Sequence, residues 1–214
     1  DRPHVQFVDR HRRLASLDES MNREEKRGCG YPAYPSTPEE GSVMPHHSWS
    51  KAYDADGAIG GFSLYDAYCD DERWGDTEHF VLIVGAPWCP ITYTAIEDLG
   101  LMSDAFTSKN VQLVYIQVDD RDPETGASAD HANELVNHFV PAADMIRVGD
   151  IDNVEPLSLG HTLEAVPLIL VVERSTMRVV IRGLGVRGIE MIQTFFDLST
   201  TDDEESVGSD TEGV

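Results

Sequence analysis

The chain has 214 residues, room for one sizeable domain or for a domain with extensions. It is 41% hydrophobic and 26% charged, an ordinary soluble balance, but 16 Lys and Arg face 39 Asp and Glu, for a net charge of −23. Such a surface repels nucleic acid and anionic lipid, which excludes both as partners, and it suits a salty medium that screens self-repulsion.

Residues 1–40 read as a flexible extension and linker. They hold seven of the 16 basic residues, Arg2, Arg10, Arg12, Arg13, Arg23, Lys26 and Arg27. Residues 10–28 suit a helix capped by Ser16 or Asp18, with Glu24 and Glu25 beside Lys26 and Arg27, although its apolar face is thin. "GCGYPAYPSTPEEG" (28–41) is dense in Gly and Pro and reads as an extended linker. "WSKAYDADGAIGGFSLYDAYCDD" (49–71) predicts an added β-hairpin or strand pair that turns at "DADG".

The core is expected over residues 41–198. "FVLIVGA" (80–86) is a continuous apolar run, the pattern of a strand covered on both faces. From Thr92 to Phe106, Ala95, Ile96, Leu99, Met102 and Phe106 fall on one helix face. "VQLVYIQVDD" (111–120) is a second strand. "SADHANELVNHFV" (128–140) is a second helix, with Ser128 as its cap and Leu135, Val136 and Phe139 as its apolar stripe. "DMIRVGD" (144–150) predicts a short strand. "VPLILVVE" (166–173) and "MRVVIRGLG" (177–185) predict a hairpin across "RST", and "RGIEMIQTFFDL" (187–198) the last helix. The tail 199–214 has six acids, no base and only two valines as large apolar residues, and is expected to be disordered.

Strand–helix alternation in the first part implies parallel pairing with right-handed crossovers, and the last hairpin implies an antiparallel edge. The fold class is therefore α/β, a mixed central sheet with helices on both faces. No run approaches the roughly 20 apolar residues of a membrane span. Because it begins at Asp1 and not Met, the chain reads as a processed or trimmed product, and no signal peptide is visible in it.

Three cysteines are present, Cys29, Cys69 and Cys89. The odd number leaves one thiol over if the compartment is oxidising and a pair closes, whereas in a reducing cytosol all three stay free. Cys89 falls where the first buried strand ends and a helix begins. Unpaired N–H groups and the helix dipole favour an anion there, which is expected to lower the thiol pKa and enrich the thiolate. Pro90 suits the first helical turn, because it has no N–H to satisfy. Trp88 is expected to shield one side of the sulfur.

"WCPIT" (88–92) after a buried strand and before a helix, with "AVPLILVV" (165–172) about 75 residues further on, resembles the thioredoxin superfamily. The nearest group is the bacterial redoxin or thiol–disulfide oxidoreductase-like proteins, which carry an N-terminal β extension. The resemblance spans roughly residues 43–198 and implies a three-layer thioredoxin-like fold. It also implies that Pro167, preceded by Val166, has a cis peptide bond and faces Cys89. An X–Pro bond holds the cis form at a cost of only about 0.5–1 kcal/mol.

The family's dithiol motif is C-x-x-C, and here it is Cys89-Pro90-Ile91-Thr92. A hydroxyl cannot resolve a mixed disulfide, so a two-cysteine cycle within this motif is excluded. Thr92 is expected instead to donate a hydrogen bond to the Cys89 thiolate. Three options remain: a monothiol exchange enzyme resolved by an external thiol, a resolving cysteine supplied by Cys69 or Cys29, or a degenerate redoxin that only binds a partner. Cys29 and Cys69 are also able to bond to each other and leave Cys89 free. Any such pair needs Cα atoms within about 7 Å. A one-cysteine peroxidase-like reading is weaker, because the peroxiredoxins resemble T-x-x-C and Ala86 stands where that threonine belongs.

Other groupings carry less. His46–His47 and His131…His138 lack a structural-zinc spacing, so no metal is expected, and no cofactor is implied. "DDRDPETGASAD" (119–130) lacks the ligand spacing of a calcium loop and reads as solvated. "GLGVRG" (183–188) is expected to shape a turn rather than cradle phosphate, and no G-x-S-x-G motif occurs. The expected function is monothiol exchange centred on Cys89, with Thr92, Trp88, Pro90, Val166 and Pro167 at the site. Its partners are protein thiols or disulfides or a small thiol. The family resemblance, the missing Met and the acidic surface place the protein in the periplasm, the cell envelope or outside the cell, with the cytoplasm as the alternative.

Overall fold

The computed structural model describes residues 29–34, 38–119, 127–150 and 165–198. The expected leader helix, the acidic tail and residues 120–126 of the acid-rich loop lie outside the described residues. In chain order the elements are β1 (Ser48–Asp54), β2 (Gly57–Ser63), α1 (Leu64–Cys69), α2 (Asp71–Trp74), β3 (His79–Gly85), α3 (Pro90–Leu101), α4 (Ser103–Thr107), β4 (Val111–Gln117), α5 (Ala129–Phe139), β5 (Met145–Gly149), β6 (Leu168–Glu173), β7 (Arg178–Leu184) and α6 (Gly185–Phe195).

Seven strands form one sheet in the order β2-β1-β5-β4-β3-β6-β7. β3, β4 and β5 are parallel, in a register that sets His79 against Val111 and Leu113 against Met145. β6 returns antiparallel to β3, and β7 closes that side as a hairpin partner. On the other side the β1–β2 hairpin adds itself antiparallel to β5. This is the mixed α/β sheet, with an N-terminal β extension, that the element order implied.

β3 reads as an unbroken apolar run because both of its faces are buried. Val81 and Ile83 point into the layer made by α3, α4, α5 and α6, where they meet Ile96, Leu99, Phe106 and Val136. Phe80, Leu82 and Val84 point the other way, against Trp49, Phe62, Leu64 and Trp74 of the hairpin, α1 and α2. Each fully buried large side chain of this kind contributes roughly 1.5–3 kcal/mol.

The structure departs from the sequence reading at three places. The single helix face from Thr92 to Phe106 is two helices: α3 ends at Leu101, Met102 sits at φ −96°, ψ 10°, and α4 restarts at Ser103. Gly100 lies against Val140, whose Cγ2 would stand 2.6 Å from a Cβ placed there, so the helix end packs at a glycine. The break turns Phe106 back into the core. Residues 64–71, the last part of the expected hairpin or strand pair, instead form α1 and the start of α2. Ser63 Oγ accepts from the Asp66 amide and Asp70 Oδ1 from the Arg73 amide, two N-caps in immediate succession. In α5 the stripe is also shifted. Ala129, Ala132 and Val136 are buried, while Leu135 and Phe139 pack at its margin.

The glycines of residues 183–188 serve packing. A Cβ on Gly183 would stand 2.5 Å from the Cα of Gly188, so β7 and α6 touch backbone to backbone, and Gly185 turns the chain between them at φ +57°.

Candidate active site at the β3–α3 junction

Cys89 is the N-cap residue of α3, at φ −98°, ψ 114°, with Pro90 in the first turn. Two backbone bonds hold the turn: Cys89 N–H donates to Ala86 O at 3.1 Å, and Thr92 N–H donates to Cys89 O at 3.0 Å. No side chain caps the helix. Cys89 is 7% exposed and packs with Ala86, Val166 and Val118. Val166–Pro167 is a cis peptide bond, and Cys89 Sγ donates to Val166 O at 3.2 Å. The cysteine and the proline segment, 77 residues apart in sequence, thus meet at one point. That hydrogen bond belongs to the thiol, since a thiolate has no proton to give.

Thr92 is fully buried, and its hydroxyl oxygen accepts from the Ala86 amide at 3.4 Å. The expected bond from Thr92 to Cys89 is not formed: the hydroxyl looks back to the end of β3, and the sulfur looks across to Val166. Gly85 makes room for this arrangement, because a Cβ there would stand 2.5 Å from Thr92 Cγ2. Trp88 does not close over the sulfur. It is 62% exposed, and its Nε1 donates to Asp119 Oδ2 at 2.9 Å. Ile91 is the other exposed apolar side chain in this turn.

Three neighbours escaped the sequence reading. Asp119 lies just past the carboxyl end of β4, the place where open α/β sheets collect functional groups, and that position was its available signal. Tyr93 donates its hydroxyl hydrogen to Pro87 O and stacks on Phe139 of α5 at 5.1 Å between centroids, so it pins the turn that carries Trp88 and Cys89. Tyr115 lies beneath them, and its hydroxyl is buried without a hydrogen-bond partner. Burial, then the nearby Tyr93 and Cys89, push this phenol above its ordinary range.

The other two cysteines are elsewhere. Cys29 and Cys69 form a disulfide, with Cα atoms 5.8 Å apart, and Cys89 is the free cysteine. Around that bridge Tyr31 packs against Tyr34, His46, Tyr65 and Tyr68, and Tyr65 donates to Cys29 O at 2.6 Å. Residues 29–34, read from sequence as linker, are therefore tied to α1. The histidines singled out in the sequence lie in separate surroundings: His47 is buried beside Trp49, His131 N–H donates to Ser128 Oγ at 3.2 Å, and the His138 ring contacts Phe139.

Neither a protein-family model nor a curated protein matches the chain. Solved structures do. The thioredoxin domain of a thiol-disulfide oxidoreductase from Bacteroides vulgatus superposes with a TM-score of 0.52 at 16% identity, covering 75% of this chain and 99% of that one. The chain has the thioredoxin fold. A secreted thiol-disulfide isomerase from Corynebacterium glutamicum gives a TM-score of 0.52 at 15% identity, covering 73% of this chain and 85% of that one. The 2-Cys peroxiredoxin of Plasmodium vivax gives 0.53 at 15% identity, with 78% and 81% covered. Within the thioredoxin fold the Cys89 turn and the cis Val166–Pro167 bond stand at the carboxyl end of the parallel strands, with the β1–β2 hairpin widening the sheet at its far side.

Proposed function

We propose that the protein carries out thiol–disulfide exchange through Cys89 as a monothiol. The observation that carries this reading is the contact of Cys89 Sγ with Val166 O of the cis Val166–Pro167 segment, at the N-terminus of α3, while Cys29 and Cys69 are bonded to each other. A thiolate at Cys89 attacks one sulfur of a disulfide, a new S–S bond forms, and the old partner leaves as a thiolate that takes up a proton. Thr92 has no sulfur, and both other cysteines are engaged, so an external thiol resolves the mixed disulfide. The folds shared with thiol-disulfide oxidoreductases support this chemistry, and the Cys29–Cys69 bridge supports an oxidising compartment, the envelope or the exterior.

The exchange reading is tested with a small disulfide and intact-mass detection. Wild type is expected to gain one adduct, mapped to the Cys89 peptide, and Cys89→Ser to gain none. An unmodified Cys89 in folded wild-type protein after hours in excess disulfide overturns the reading. That result would favour a redox-inactive binding role, for which the near-complete burial of Cys89 is the supporting observation. A peroxidase-like role finds less support: Ala86 offers no hydroxyl, and the Thr92 oxygen is turned to the Ala86 amide.

A further inference from the structure

The rim of the Cys89 turn carries a charge next to an exposed ring. Trp88 projects its indole into solvent immediately before the cysteine, and Asp119 Oδ2 accepts from its Nε1 at 2.9 Å. The carboxylate is thereby fixed beside the ring instead of swinging freely. An exposed indole attracts a cation over its face, and a neighbouring carboxylate adds Coulomb attraction of the same sign. The rest of the molecule acts in the same direction, since the chain carries a net charge of −23. Among the described residues Arg187 opposes them: it is exposed in the first turn of α6, whose Gly185 N–H donates to Pro167 O at 2.9 Å.

From these features we infer that the Cys89 site selects its disulfide by charge, taking substrates with a cationic group near the sulfur and disfavouring carboxylate-bearing ones, with Trp88 and Asp119 as the reading pair. The inference rests on the exchange reading of Cys89 and names its substrate class. The step is an ordinary exchange. The disulfide R–S–S–R is the oxidant, Cys89 is oxidised to Cys89–S–S–R, and R–S⁻ leaves carrying the electron pair of the broken bond. A cation on R lies near the Asp119 carboxylate during the attack, whereas a carboxylate on R is repelled by it. Disulfides of acidic low-molecular-weight thiols are accordingly the poorer substrates, and disulfides of basic peptides the better ones.

The test uses three probes of similar size: cystamine (cationic), bis(2-hydroxyethyl) disulfide (neutral) and 3,3′-dithiodipropionate (anionic). Adduct formation at Cys89 is timed by intact mass, and each rate is divided by that of 2-mercaptoethanol with the same probe, which removes differences in intrinsic reactivity. At low salt the normalised rate with cystamine is expected to exceed that with dithiodipropionate by about tenfold or more. Asp119→Asn should shrink this ratio by about threefold, and 1 M NaCl should bring it close to one. Normalised rates equal within twofold overturn charge selection while leaving exchange intact. A ratio unchanged in Asp119→Asn overturns the reading role given to Asp119. Absence of any adduct with all three probes overturns the exchange reading itself, and this inference with it.

Discussion

Thr92 stands three residues after Cys89, on the first turn of α3, where a second thiol would let the protein release its own product. The backbone already presents the position correctly, since Thr92 N–H donates to Cys89 O and the side chain is buried against β3. Chemistry, not geometry, is what the site lacks. Thr92→Cys is therefore expected to convert a stable single adduct into a self-resolving cycle: the probe fragment is released and the protein mass settles two hydrogens below the reduced form. Intact-mass time courses read this directly, and an adduct as persistent as in wild type would count against the geometry. The cost in stability should be small, about 1 kcal/mol, for the bond that the Thr92 oxygen makes with the Ala86 amide. At this scale the sequence exposed Trp88, Cys89, Pro90, Thr92 and Pro167, because each sits in a short local pattern with a chemical reason. It concealed Asp119, whose bond to Trp88 spans 31 residues, and Tyr115, whose hydroxyl looks in sequence like any other strand tyrosine.

Strands and helices with a strong period were legible as elements. β3, β4 and β6 announce themselves as unbroken apolar runs, and α5 by its cap and stripe. The legible period also misled: Met102 and Phe106 continue the face of α3, yet the chain breaks between them because tertiary packing decides where a helix stops. Pairing of cysteines was left open by the sequence for a similar reason, since it depends on how α1 folds back on residues 29–34. The Cys29–Cys69 bridge closes a loop with a sequence separation of 40 residues, and such a constraint on the unfolded chain contributes about 4 kcal/mol in the chain-entropy account. The Tyr31 cluster already holds the same segment, through its rings and through Tyr31 Oη donating to Met44 O at 2.8 Å. The double variant Cys29→Ser/Cys69→Ser is accordingly expected to fold, to lose about 2–4 kcal/mol of unfolding free energy in urea, and to form Cys89 adducts at the wild-type rate below its transition. Loss of adduct formation in the folded double variant would show that the bridge also shapes the Cys89 turn, against a purely stabilising role.

For the whole molecule, the excess of 39 acids over 16 bases is a standing load on the compact state. A core of this size has a radius of gyration of about 15 Å. At 10 mM salt the screening length is roughly 30 Å, so charges on opposite faces repel one another. At 1 M it is roughly 3 Å, and only direct neighbours interact. Local pairs such as Lys51 with Asp130, 2.7 Å apart and both half-exposed, offset little of this, because exposed pairs are worth at most about 1 kcal/mol and are themselves screened. Repulsion spread over the surface therefore outweighs the pairs, and salt should stabilise. The thermal midpoint is expected to rise by about 5 °C or more from 10 mM to 1 M NaCl, corresponding to roughly 2 kcal/mol for a domain of this length. Sucrose at matched osmolality serves as the control for general exclusion effects. A midpoint that stays flat or falls with NaCl would show that the paired charges, and not the net charge, govern the electrostatics of this fold.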